Sequence, residues 1–156
     1  MIHVLFVCLG NICRSPMAEA VLRHKIEERG LQHQIQVDSA GTGDWHIGKP
    51  PHEGTRNLLD SYQISYANMA ARQFGSADFD QFDYIVCMDD SNAANVRKIT
   101  GGAEADIMKF MDFLPNESLR EVPDPYFTGN FEEVYRLVEA GCNVLLEQIQ
   151  KDHSLA

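Results

Sequence analysis

An apolar run from Ile2 to Val7, broken only by His3, stops at Cys8 and turns through Leu9-Gly10-Asn11-Ile12-Cys13 into Arg14-Ser15-Pro16. Proline lacks an N–H and fixes φ, so a helix accepts it in the first turn. The junction therefore reads strand, tight turn, helix. With Ser15 as N-cap and Gly30 as the stop, this helix covers about 15–29, and Met17, Val21, Leu22 and Ile26 give it an apolar face.

The same alternation continues along the chain. Ile35–Ser39, Tyr84–Met88 and Asp106–Phe110 are short, β-branched or aromatic runs suited to buried parallel strands. Helices are predicted near 52–62 and 90–99. The last helix carries the clearest signature. Asn130 stands as N-cap with Glu133 three residues on, a capping-box pattern, and Phe131, Val134, Val138, Cys142, Leu145 and Ile149 form the buried stripe. Strands alternating with helices imply an α/β fold: a single domain over 1–156, an open parallel four-stranded sheet with helices on both faces. Crossovers are expected to be right-handed. Ligands in such folds bind beyond the carboxyl ends of the strands, and Cys8 lies at one of those ends.

Composition excludes several function classes. The net charge is −10, with residues 78–156 carrying six basic and sixteen acidic side chains. Phosphate-backbone binding needs Lys and Arg, so nucleic acid is not an expected partner. No apolar run approaches the roughly 20 residues of a membrane span. The apolar start has no basic flank or small-residue cleavage site, so a cytoplasmic protein, monomeric and without a membrane partner, is expected. The cysteines at 8, 13, 87 and 142 form no C-x-x-C pair, and the histidines form no H-E-x-x-H. No metal or cofactor is called for. Cys87 and Cys142 read as small buried hydrophobes.

The first turn is different. Cys8 and Arg14 are separated by five residues and Ser15 follows. A turn wrapped on itself points backbone N–H groups at a common centre, and the following helix adds its positive end. Gly10 and Asn11 tolerate the left-handed angles such a wrap needs. An arginine at a helix start is unfavourable alone, but its planar fork matches two phosphoryl oxygens. Leu9 to Cys13 with Ser15 thus read as a phosphate-binding loop, with Cys8 at its floor and Arg14 as its clamp. A helix N-terminus and a neighbouring arginine favour the thiolate form of a cysteine, which is the nucleophile. Ser15 is placed to bond the sulfur. No G-x-x-x-x-G-K is present, so a nucleotide P-loop is excluded.

Three other residues have two readings each on the bare sequence. Asp124, stiffened by Pro123 and Pro125, is either a turn aspartate or a positioned acid. Trp45, the only tryptophan, is a core plug or a wall of a binding slot. Cys13 is packing, or a second thiol able to capture an oxidised Cys8.

The string Val7-Cys8-Leu9-Gly10-Asn11-Ile12-Cys13-Arg14-Ser15-Pro16-Met17-Ala18-Glu19 resembles the low-molecular-weight protein tyrosine phosphatases. Asp38-Ser39-Ala40-Gly41-Thr42, Asp44-Trp45, Ala71-Arg72, Cys87-Met88-Asp89 and Asp124-Pro125-Tyr126 resemble the same family, so the likeness spans the chain. It implies hydrolysis of phosphotyrosine in proteins or peptides through a phosphocysteine. Cys8 would be the nucleophile, Arg14 the phosphate clamp, and Asp124 the general acid and then base. It further implies that Ile12, Trp45, Tyr126 and Phe127 wall the substrate ring and that Asn11 and Ser39 tether the loop. Cys13 would guard Cys8 against irreversible oxidation. Met69 stands where some members carry a histidine that helps hold the asparagine, which leaves the bracing of the loop open.

Alternatives come from different classes. Protein arginine phosphatases are similar but tend to place threonine where Ile12 stands. An arsenate reductase would relay a disulfide through further cysteines, and Ala94 stands seven residues after Cys87. A non-catalytic phosphotyrosine-binding module would need neither Cys8 nor Asp124.

Overall fold

A computed structural model describes residues 1–99, 101–102 and 105–155. Its centre is a four-stranded sheet of order β2-β1-β3-β4, all pairs parallel, formed by β1 (Ile2–Cys8), β2 (Ile35–Gly41), β3 (Tyr84–Cys87) and β4 (Met108–Lys109). The first strand in the chain is thus a central one. Its side chains alternate between two cores, as the strand period of two requires. Val4, Phe6 and Cys8 join the larger core, whereas Leu5 and Val7 join the smaller.

The larger core is closed by α1 (Arg14–Glu28), α2 (Glu53–Ser61) and α6 (Phe131–Asp152), and the smaller includes Ala93 and Val96 of α4 (Asp90–Arg97). Short helices α3 (Asp78–Gln81) and α5 (Pro125–Thr128) complete the set among the described residues. Helices on both faces of a parallel sheet match the sequence reading. Cys87 and Cys142 are fully buried, and burial pushes the Cys87 thiol up to about 12.

Three local expectations need correction. Ser15 does not cap α1; Cys13 occupies the cap position without a side-chain bond, because the Ser15 hydroxyl is turned to Cys8. The Asn130 side chain does accept from Glu133 N–H at 3.1 Å, but the Asn130 N–H donates to Thr128 Oγ1, so the box is only half formed. The strand expected over 106–110 pairs only at Met108–Lys109, where a 3₁₀ turn, Phe110–Phe113, takes over. The turn lets Phe110 drop into the larger core beside Phe6. It packs so closely on Gly141 that a Cβ there would lie 2.3 Å from its ring.

Candidate active site

The turn after β1 is held by one asparagine. Asn11 has φ 57°, the left-handed value expected for it; Gly10 does not share it. Gly10 instead gives room to His46, whose Cδ2 would lie 3.1 Å from an added Cβ. The Asn11 amide donates to Ser15 Oγ at 2.8 Å and to Ser39 Oγ at 2.9 Å, while its Oδ1 accepts the Arg72 main-chain N–H at 2.9 Å. Every polar atom of that side chain is used, so the loop is braced without the histidine that Met69 replaces. Gly41 makes the approach possible, since a Cβ there would fall 2.8 Å from the Leu9 carbonyl oxygen.

Ser15 Oγ accepts from Asn11 and lies 2.9 Å from Cys8 Sγ, a hydrogen bond in which either the hydroxyl or the thiol can donate. The Asn11 N–H also reaches the sulfur, at 3.3 Å. Behind Ser39 its hydroxyl donates to Glu19 Oε1 at 2.6 Å, and Glu19 is paired with Arg23. Burial raises the Glu19 pKa against the pull of Ser39 and Arg23.

Cys8 is only 3% exposed and lines a cleft of about 240 Å³. Cys13 lines the same cleft and packs with Ile12 and Ala71. Burial, with Cys8 and Asp124 nearby, pushes its thiol up to about 12. The backbone N–H groups of Leu9, Gly10, Ile12 and Cys13 have no acceptor among the described residues, which leaves them free for an anion.

Arg14, also 3% exposed, reaches the segments after β3 and before α5. Its Nη1 donates to Asp89 Oδ2 at 2.7 Å and to the Val122 carbonyl at 3.0 Å, and its Nη2 lies 3.4 Å from Asp124 Oδ2. Burial opposes its charge, but Cys8, Asp89 and Asp124 outweigh burial and hold the guanidinium protonated. Asp89 is doubly committed, because its Oδ1 caps α4 at Asn92 N–H. Asp124 caps α5 through Tyr126 N–H at 3.1 Å, so its place depends on the short helix that Pro125 begins.

The rim is aromatic. Trp45, Tyr126 and Phe127 are 64%, 55% and 77% exposed and line the cleft with Ile12, which rules out the core-plug reading of Trp45. Trp45 folds back on Gly43, where a Cβ would meet the indole at 1.9 Å. His52 links the two loops. Its N–H donates to the Ile12 carbonyl at 2.7 Å, and its ring stacks on Phe131 and meets Tyr126 edge-on at 5.9 Å.

The structure thus brings Cys8, Arg14, Asp124, the loop and the aromatic walls to one cleft, with Ser15 and Ser39 behind it. Sequence reasoning missed His46, Asp89, Glu19 and His52. Of these, Glu19 left a signal in its i,i+4 spacing to Arg23, and Asp89 one in the Cys87-Met88-Asp89 string.

Residues 3–155 match the family model described as low molecular weight phosphotyrosine protein phosphatase. The chain is 51% identical to the low molecular weight protein-tyrosine-phosphatase YfkJ of Bacillus subtilis, covering 99% of this chain and 100% of that one. It is 47% identical to PtpA of Staphylococcus epidermidis, a protein of the same description, over 99% of this chain and 98% of the relative. The crystal structure of YfkJ superposes with a TM-score of 0.94 at 52% identity, covering 97% of this chain and 96% of that one. A cleft built on an N-terminal cysteine loop, a likeness that runs the length of the chain and the shared fold lead to one conclusion: the chain belongs to the low molecular weight phosphotyrosine protein phosphatase family.

Proposed function

We propose that this chain is a protein-tyrosine phosphatase that works through a phosphocysteine, in one domain over 1–156. The observation that carries the reading is the setting of Cys8: a sulfur within hydrogen-bond reach of the Ser15 hydroxyl and the Asn11 N–H, with Arg14 and Asp124 on the same cleft. The phosphate dianion takes the free loop N–H groups and the Arg14 fork. The sulfur attacks phosphorus, the S–P bond forms and the P–O bond to the aryl group breaks. Asp124 passes its proton to the departing phenolate oxygen. In the second step Asp124 takes a proton from water, the water oxygen bonds phosphorus, and the P–S bond breaks to release phosphate and thiolate. No step uses a metal or cofactor.

The exposed rings of Trp45, Tyr126 and Phe127 with Ile12 suit an aryl phosphate rather than a short alkyl one. Phosphotyrosine peptide is expected to be hydrolysed well ahead of phosphoserine and phosphoarginine peptides, in the presence of a chelator, with no arsenate reduction. A preference for phosphoarginine would overturn the reading of Ile12, and no hydrolysis at all would overturn the reading as a whole. No described helix is long and apolar enough to cross a membrane. A cytoplasmic monomer is the setting we propose, and gel filtration reads the second part of it.

Redox protection belongs to the same proposal. Peroxide converts the Cys8 thiolate to a sulfenic acid and releases hydroxide; attack by the Cys13 sulfur then forms the S–S bond and expels water. Because the Cys13 thiol sits near 12, its thiolate fraction rises about tenfold per pH unit between 7 and 9. Disulfide closure is therefore expected to quicken with pH over that range. Mass spectrometry after peroxide should find a Cys8–Cys13 link in the parent, recovered by a dithiol. Cys13→Ser should show sulfinic or sulfonic Cys8 and poor recovery; equal recovery of both returns Cys13 to packing.

A further inference from the structure

A second groove, of about 450 Å³, lies beside the cleft, and Leu9 and Trp45 line both. We infer that this groove seats an uncharged residue of the substrate polypeptide next to the phosphotyrosine. The inference rests on the phosphatase reading above and adds a selection for sequence around the scissile group.

Continuity is the first support. Trp45, held back on Gly43, is a partition with the cleft on one side and the groove on the other. An aryl phosphate that fills the cleft leaves its main chain at the Trp45 rim, and the next residue is only about 3.8 Å further along. The second support is chemistry. Beyond the partition the groove is lined by Thr42, Phe74, Asn95 and Ile99, with Gln73 tied across its edge by a bond to the Thr42 carbonyl at 3.2 Å. None of its lining residues is ionisable, in a chain of net charge −10. A charged side chain placed there would lose water and find no counter-ion, a cost that an uncharged one avoids.

The test uses the full chain and phosphotyrosine peptides that differ only beside the phosphotyrosine, carrying leucine, aspartate or lysine on either flank. p-Nitrophenyl phosphate, which reaches only the cleft, is the control. The leucine peptide of one flank is expected to exceed its charged counterparts in kcat/KM by roughly tenfold or more. Asn95→Asp should erase that preference and Asn95→Lys should turn it toward the aspartate peptide, both leaving p-nitrophenyl phosphate turnover unchanged. A parent that hydrolyses p-nitrophenyl phosphate but treats all flanks alike, or an Asn95 charge without effect on peptide choice, overturns the groove and leaves the phosphatase intact. A parent inactive on every phosphate overturns both.

Discussion

Cys8→Ser is expected to fold as the parent does and to lose turnover by on the order of 10⁴-fold or more, the scale on which removal of an enzyme nucleophile is felt. The serine oxygen meets the same two groups, the Ser15 hydroxyl and the Asn11 N–H, so the loop keeps its bonds. What fails is ionisation, since a serine hydroxyl gives up its proton far less readily than a thiol and is a weak nucleophile without an activating base. The loop N–H groups and Arg14 survive, and the variant should still bind phosphotyrosine peptide, as calorimetry would show. Activity within tenfold of the parent, with an unchanged melting temperature, would end the covalent route.

Asp124→Asn should lower kcat by roughly 10²–10⁴-fold on phenyl phosphates with poor leaving groups. The fold has little reason to respond. Asparagine is as good an N-cap as aspartate, so Tyr126 N–H keeps its acceptor and α5 its first turn. The 3.4 Å contact to Arg14 becomes weaker, but Asp89 at 2.7 Å still holds that guanidinium. The loss should shrink as the leaving phenol grows more acidic, because a better leaving group needs less of a proton. A series of substituted phenyl phosphates separates this from a general loss: a constant deficit across the series would remove Asp124 from the proton transfer.

How much of this was legible depends on how far apart in the chain the cooperating groups lie. The phosphate loop is contiguous, so Cys8, Asn11, Arg14 and Ser15 could be read from spacing. The alternation of strands and helices was equally plain from hydrophobic pattern. Asp89 stands in the Cys87-Met88-Asp89 string that carries the resemblance, but its service to Arg14 was not legible, because it exists only once β3 lies beside β1. The brace on Asn11 was hidden for another reason. One of its partners is the main-chain N–H of Arg72, a donor that every residue but proline carries and that no side-chain alphabet can announce. The truncation of β4 was hidden as well, since the packing that draws Phe110 out of the strand, on Phe6 and Gly141, exists only in the folded core.

The central position of the first strand has a consequence during synthesis. Arg14 and Asp124 are 110 residues apart, so at roughly 5–20 residues per second the ribosome delivers the cysteine loop about 5–20 s before its acid. Through that interval β1 waits for β2 and then β3 on its two edges, and Cys8 waits without the walls that later enclose it. The nascent chain therefore carries the Cys8 thiol before the cleft that later encloses it exists, and thiol labelling of stalled chains of increasing length would time the closure.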